Sequence, residues 1–325
     1  MKRVLSIVVC FVLAGGAWVS AAQNPPQGAV PPQGPPAPAV NAPPAPRVNA
    51  PPPPIVVGPP APVPPEVAIP RPTPEELALV NDAVQKFVDS SEPSVRPVLK
   101  KFESLLLLAP PLRNVAATFT QTAQRRGARH QGFVEIAKQG NIDLLLHGDS
   151  ITDWWVQGAE NTAMFDKYFA GIRTANFAIA GDTTQGVLWG LRNGEGQGFQ
   201  PKAVMLMIGT NNNAANTAPE IAEGIGAVVL ELRTNFPDAK ILLLAVFPRS
   251  VPGDPIRDKI AEVNRIIARL DDQKHVFYLD IGAAFLDDKG FFLPETFRPD
   301  NLHPIAKGYE IWGEAIKAKL AELLK

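Results

Sequence analysis

The chain predicts an α/β domain in which helices cover both faces of a parallel sheet. Three observations carry this. Five short apolar runs recur at 142–146, 174–179, 203–208, 241–247 and 276–279. They show little alternation, as strands buried on both faces should. Between them lie amphipathic stretches such as 219–235, which follows Thr217 and carries Pro219, and 254–270. Strand–helix alternation of this kind makes parallel crossovers. Finally, Ser150, Gly181 and Asn211 each follow an apolar run by only a few residues. In such sheets ligands bind at the carboxyl ends of the strands, so one edge presents all three.

The elements follow in order from the N-terminus. Lys2 and Arg3 precede an apolar run at 4–13, and small residues follow through Ser20-Ala21-Ala22. This pattern predicts an export leader, residues 1–22, cleaved after Ala22; the apolar run is about half of what a spanning helix needs. The expected location is periplasmic, extracellular or cell-surface, with no stable membrane insertion after cleavage. Cys10 is the only cysteine, and Val9 before it is too large for a lipidation site. The mature chain would therefore have no disulfide and no thiolate nucleophile.

Residues 23–74 hold 22 of the 35 prolines. A stretch so poor in backbone donors predicts a disordered, largely polyproline-type tether, reaching on the order of 100–150 Å at ~3.1 Å per residue. Residues 75–325 then make one compact domain. They carry 27 Lys and Arg, since Lys2, Arg3, Arg47 and Arg71 lie outside, against 31 Asp and Glu. No basic stripe appears, which argues against nucleic acid or an anionic membrane as main partner.

Thr73-Pro74-Glu75-Glu76 reads as a helix start, with Thr at the cap, Pro in the first turn and Glu three residues on. Leu77, Val80, Val84 and Phe87 follow at helical spacing. A second helix is expected around 95–108, ending at Pro110-Pro111, and a third from about 114 to 138 with a break at Gly127. Together 75–139 form a helical extension packed on the hydrolase core at 140–325. The last helix, 304–325, is expected to start at Pro304 and to turn Ile311, Ala315, Ala318 and Leu323 inward.

A serine hydroxyl becomes a nucleophile when a neighbouring base takes its proton. Four histidines are available. His130 sits among charged residues and is expected to be solvated; His275 lies in a polar turn. His147 precedes the serine turn, points away from Ser150 and reads as a packing residue. His303 differs: Asp300 lies three residues earlier in a loop, and Pro304 fixes the backbone after it. That spacing lets the carboxylate accept the Nδ1 proton while Nε2 faces outward. Acyl transfer also needs donors where negative charge develops on the carbonyl oxygen. Gly181 suits a backbone donor, and Asn211 offers an uncharged side-chain amide; read separately, they are equally a turn glycine and a helix-capping Asn. Gly194-Glu195-Gly196-Gln197-Gly198 lacks the Lys-Ser/Thr ending of a phosphate loop and reads as a flexible loop. Trp154, Trp155, Trp189 and Trp312 are candidates for an acyl or sugar subsite or for the core.

These blocks resemble the SGNH (GDSL) hydrolase family, closest to its platelet-activating-factor acetylhydrolase-like branch. The similar stretches are Gly148-Asp149-Ser150-Ile151-Thr152, Asn176-Phe177-Ala178-Ile179-Ala180-Gly181-Asp182-Thr183, Leu188-Trp189-Gly190-Leu191-Arg192-Asn193-Gly194-Glu195 and Ile208-Gly209-Thr210-Asn211-Asn212. Phe247-Pro248-Arg249 and Asn301-Leu302-His303-Pro304, followed by Gly308-Tyr309, complete the set, over roughly 129–315. The resemblance implies a flavodoxin-like three-layer α/β/α sandwich on a five-stranded parallel sheet. It also implies Ser150 as nucleophile, Asp300 and His303 as its partners, and Asp149 as a supporting residue. The oxyanion hole would be the Ser150 and Gly181 amides with the Asn211 side chain. Ala180 and Asn301 stand where the branch more often has Gly; Asn is the residue best able to take a left-handed turn in place of Gly.

The expected activity is an exported, metal- and cofactor-independent serine esterase acting on short acyl groups, acetyl first, on a small-molecule or carbohydrate ester. The alternatives are a lipid esterase of the lysophospholipase or platelet-activating-factor acetylhydrolase kind, and an O-acetyltransferase using the same site. A metal-dependent hydrolase using Asp149, His147, Asp182 and His303 is a further rival, although these residues match no compact ligand motif. Oligomeric state stays open.

Overall fold

A computed structural model of the chain describes residues 55–110 and 112–325. The expected leader and most of the expected tether lie outside the described residues.

The part of the tether that is described packs against the domain. Pro60 pairs with Thr118 in an antiparallel bridge, and Phe119 N donates to Pro59 O at 2.9 Å. Val67 is buried, Ile69 N donates to Glu223 Oε1, and Arg71 holds both oxygens of Glu223 at 2.6 and 2.7 Å. This corrects the free spacer expected up to residue 74. Proline lacks an N–H but keeps its carbonyl, so an extended Pro-rich segment can still accept bonds from an edge.

Helix α1 (Pro74–Ser90) starts as expected, with a Thr73–Glu76 capping box. Val88 is its only buried residue, however, and Val80 and Phe87 are exposed. Its side chains reach α2 (Arg96–Lys101), α3 (Glu103–Leu106) and the turn after them: Gln85 bonds Glu103, and Asn81 bonds Leu108. The third expected helix is also shorter. Residues 118–127 are irregular, and α4 (Ala128–Lys138) begins directly after Gly127, the expected break.

The sheet is as expected: five parallel strands, β1 (Leu144–Gly148), β2 (Thr174–Asn176), β3 (Ala203–Met207), β4 (Lys240–Leu244) and β5 (Val276–Leu279), in the order β2-β1-β3-β4-β5. Strand order reverses between β1 and β3, which opens a crevice at their carboxyl ends. Alternate side chains of each strand serve two cores. Leu145, Val204, Leu206, Ile241 and Leu243 pack with Phe133 and Ala137 of α4 and with residues from three further helices. These are α7 (Thr184–Gly190), α8 (Ala218–Asn235) and α9 (Pro255–Ile267). On the other face Leu144, Leu146, Met205, Leu242 and Leu244 meet α5 (Ser150–Asp153), α6 (Ala159–Phe169) and α10 (Ala306–Leu323). Every central strand residue is thus buried from one side or the other, which explains the unalternating runs.

Helix α10 differs from expectation. It starts at Ala306, because Pro304 is taken up in an antiparallel bridge to Phe297. Its inward face is Tyr309, Trp312, Ile316, Leu320 and Leu323, while Ala315 and Ala318 are exposed. Steps of three and four through the largest apolar side chains define the face that removes most area from water.

Candidate active site

Ser150 stands two residues past the end of β1. Asp149 caps the short helix α5 by accepting the Ile151 amide on Oδ1 at 3.0 Å, which turns the chain sharply and leaves Ser150 as the first residue of the helix. Gly148 is required just before it: a Cβ there would lie 2.3 Å from Met207 O.

His303 Nε2 is 2.9 Å from Ser150 Oγ, across 153 residues of sequence, and His303 Nδ1 is 2.7 Å from Asp300 Oδ2. An ionised carboxylate only accepts, so Nδ1 carries the ring proton and Nε2 is left to accept from the serine hydroxyl. The loop 298–303 builds this geometry locally. Asp300 Oδ1 accepts the amides of Leu302 and His303, each at 3.0 Å, and Arg298 N donates to His303 O at 2.8 Å. Asn301 sits at φ 50°, the left-handed turn expected of it, and its carbonyl accepts Ser250 N at 2.8 Å. Partial burial alone would raise the Asp300 carboxyl, but the bonds from the His303 ring and from the His303 and Leu302 amides hold it below the usual value.

Gly181 follows β2 at φ 78°, a conformation open to glycine. Asn211 lies in the turn Thr210–Ala214 after β3. It does not cap α8, whose cap is Thr217. Its Nδ2 donates to Asp182 O at 2.8 Å, which sets the side-chain amide against the peptide that follows Gly181. One Nδ2 proton is left over. Among the described hydrogen bonds, the amides of Ser150 and Gly181 donate to no protein acceptor. Neutral donors left unengaged beside a nucleophile suit a developing oxyanion.

Beneath this edge lies a buried ionic cluster. Arg125 is fully buried and donates from Nε to Asp182 Oδ2 at 2.7 Å and from Nη1 to Glu195 Oε2 at 2.5 Å. Glu195 Oε1 also takes His130 Nδ1 at 2.6 Å, and His147 Nε2 lies 3.7 Å from its other oxygen. Burial pushes the Glu195 carboxyl up, but the His130 bond, the neighbouring His147 ring and the Arg125 charge outweigh it and hold the group at about 2. His147 is a packing residue on the face away from Ser150, as expected, and burial lowers its pKa. His130 is not solvated: it is bonded to Glu195 and packed on Trp189, ring centroids 4.8 Å apart. Nor is Glu195 part of a loose loop, because the Gly-rich segment folds into a π-turn around its buried carboxylate. Among the described residues no group of three or more His, Cys, Asp or Glu is placed to hold a metal ion.

Asp149 is fully buried, its Oδ2 has no partner, and burial pushes its carboxyl up to about 7. Unfolded, the group ionises near 3.8. Between those values the folded state keeps a proton that the unfolded state has released, so stability falls as pH rises from about 4 to about 7 and is level above. Asp149→Asn keeps the cap and removes this slope. Relative to the parent it is expected to gain on the order of 2–4 kcal/mol between pH 4 and pH 8 in urea melts. Parallel stability curves would contradict the burial of an ionisable Asp149.

The four tryptophans among the described residues divide. Trp155 and Trp312 are core, 4.4 Å apart by ring centroids. Trp189 packs on His130, and Trp154 stacks on His303 at 4.0 Å. The partners that sequence reasoning did not assign are Arg125, Arg129, which holds Asp153 with two bonds at 2.9 and 2.7 Å, and Arg298. Arg125, which ends up without solvent, leaves no local signature, and Arg129 and Arg298 meet segments distant in the sequence.

A family model described as GDSL-like Lipase/Acylhydrolase matches residues 146–311. The platelet-activating factor acetylhydrolase IB subunit alpha2 of Rattus norvegicus is 38% identical over 176 residues, which span 54% of this chain and 75% of that one. The alpha1 subunit of Homo sapiens is 32% identical over 196 residues, 60% of this chain and 82% of that one. Among solved structures, one described as a putative platelet activating factor from Streptococcus pneumonia aligns with a TM-score of 0.51 at 18% identity, covering 71% of this chain and 100% of the other; at that identity the likeness concerns the fold. With a matched model spanning the serine turn and the final loop, the chain belongs to the GDSL-like lipase/acylhydrolase family and is an ester-hydrolysing serine hydrolase.

Proposed function

We propose that this enzyme removes short acyl groups, acetyl first, from carbohydrate or other small hydroxyl compounds outside the cytoplasm, with Ser150 as nucleophile. The unbroken chain from Asp300 Oδ2 through the His303 ring to Ser150 Oγ carries the assignment. His303 Nε2 takes the hydroxyl proton as Oγ bonds to the ester carbonyl carbon, and the carbonyl π pair moves onto oxygen. The Ser150 and Gly181 amides and the Asn211 side chain receive that oxyanion. The pair then returns, the C–O bond to the alcohol breaks, and His303 gives its proton to the leaving oxygen. Water repeats the sequence on the acyl-enzyme and releases the acid.

Two features favour a small acyl group. The Gln124 side chain lies over Gly181, with Nε2 3.2 Å from where a Cβ would stand, and narrows the site beside the oxyanion donors. The apolar grooves of 610 and 120 Å³ are lined by no triad residue. The names of the curated relatives also describe acetyl hydrolysis. The extracytoplasmic location rests on the leader-like order of residues 1–22 and the Pro-rich stretch after it.

The test is a series of p-nitrophenyl esters from C2 to C12, run beside acetylated xylan and an sn-2-acetyl phospholipid. We expect kcat/KM to fall at least about 100-fold from C2 to C8, a loss of about 3 kcal/mol in transition-state binding, with acetate released from xylan. A preference for C8 or longer, or release from the phospholipid alone, would replace this reading with a lipid esterase.

A further inference from the structure

We propose that Trp154 is a positioning residue for His303: its indole holds the imidazole plane so that Nε2 stays aimed at Ser150. This rests on the reading of His303 as the base.

The need for such a support follows from exposure. The Asp300 side chain is 44% exposed and that of His303 is 13%. Water therefore competes for the carboxylate, and the pair is held more loosely than a buried one. Once Ser150 Oγ bonds to the carbonyl carbon its bond to Nε2 is given up, and the bond at Nδ1 alone fixes one point of the ring and leaves it free to tilt about that point. The indole removes this freedom. Its centroid is 4.0 Å from that of His303 with 26° between the planes, an aligned stack.

The platform is itself anchored. Trp154 follows directly on the helix Ser150–Asp153, so nucleophile and platform belong to one continuous turn. Its carbonyl accepts Asn161 Nδ2 at 3.1 Å. The preceding Asp153 is gripped by Arg129 and accepts Ala180 N at 3.0 Å. The Arg298 guanidinium lies over the same indole, 4.5 Å from its centroid, and the Arg298 amide is bonded to the His303 carbonyl. Both ends of the loop 298–303 thus rest on one aromatic ring. Displacing a reacting group by ~1 Å costs about 10²-fold in rate, so a ring freed to tilt should be slow but not dead.

Trp154→Ala and Trp154→Phe are compared with the parent on p-nitrophenyl acetate, with circular dichroism and thermal melts to confirm folding. The alanine variant is expected to lose about 10–100-fold in kcat with KM within about twofold, and Phe, which can still stack, to stay within about fivefold of the parent. The same Trp154→Ala change made in His303→Ala is expected to alter the residual rate by less than about twofold, because its effect passes through the missing ring. Should alanine not fold, Trp154→Leu takes its place in both backgrounds. Equal losses with and without His303, or a loss confined to KM, would overturn the proposal by making Trp154 a structural residue or a substrate wall. Activity that survives His303→Ala itself would instead strike the triad reading.

Discussion

Ser150→Ala is expected to lower turnover of p-nitrophenyl acetate by at least about 10³-fold while leaving the melting temperature within a degree or two. The two halves of this expectation have separate origins. The hydroxyl is bonded to His303 Nε2 and contributes little volume to either core, so its loss leaves packing intact. The rate falls because among the described residues no other hydroxyl or thiol is bonded to that imidazole, and what remains is binding plus the proposed oxyanion donors. Asn211→Ala, which removes one of those donors but keeps the nucleophile, is expected to cost about 10²–10³. A serine variant with near-normal activity would overturn the assignment.

Arg125→Met is expected to lower stability by about 3–5 kcal/mol in urea melts. The guanidinium and both carboxylates it serves, Asp182 and Glu195, have no exposed side-chain surface. Methionine fills much of the same space but leaves two buried charges without their main partner. The damage should also reach the chemistry. Asp182 follows Gly181, and its carbonyl is the acceptor that fixes Asn211 Nδ2. A relaxed Asp182 therefore loosens two of the proposed oxyanion donors together, and kcat should fall along with stability. A change under about 1 kcal/mol would show that the cluster does not carry the load its geometry suggests.

How much of this was legible in the sequence depends on distance along the chain. The parallel sheet, the buried strands and the capping box of α1 are encoded within a few residues, and the structure follows them. The Asp300–His303 pair and the turn at Asn301 are local too, and the serine turn carries a motif. What the sequence hid are pairings between distant segments. Pro60 meets Thr118, Arg71 meets Glu223, and Arg125 meets Asp182 and Glu195; polarity at Thr118, Glu223, Arg125, Asp182 and Glu195 predicts solvent, and only the partners explain their burial. The face of α10 was misread because small alanines satisfy a helical period without deciding it; the volume of Tyr309, Trp312 and Ile316 does. The stretch 114–127 reads as helix for a similar reason, since propensity alone does not register that 118–127 is held by long-range bonds such as Thr122 to Asp182.

The central claim, that a C-terminal imidazole activates a hydroxyl half a chain away, is tested most directly by covalent labelling. The purified enzyme is treated with a fluorophosphonate, digested, and mapped by mass spectrometry, alongside His303→Ala. The account predicts a single adduct, on Ser150, formed in step with loss of esterase activity, and labelling slowed by at least about 10³-fold in the variant. Complete inactivation with the adduct on another residue, or equal labelling rates with and without His303, would contradict it.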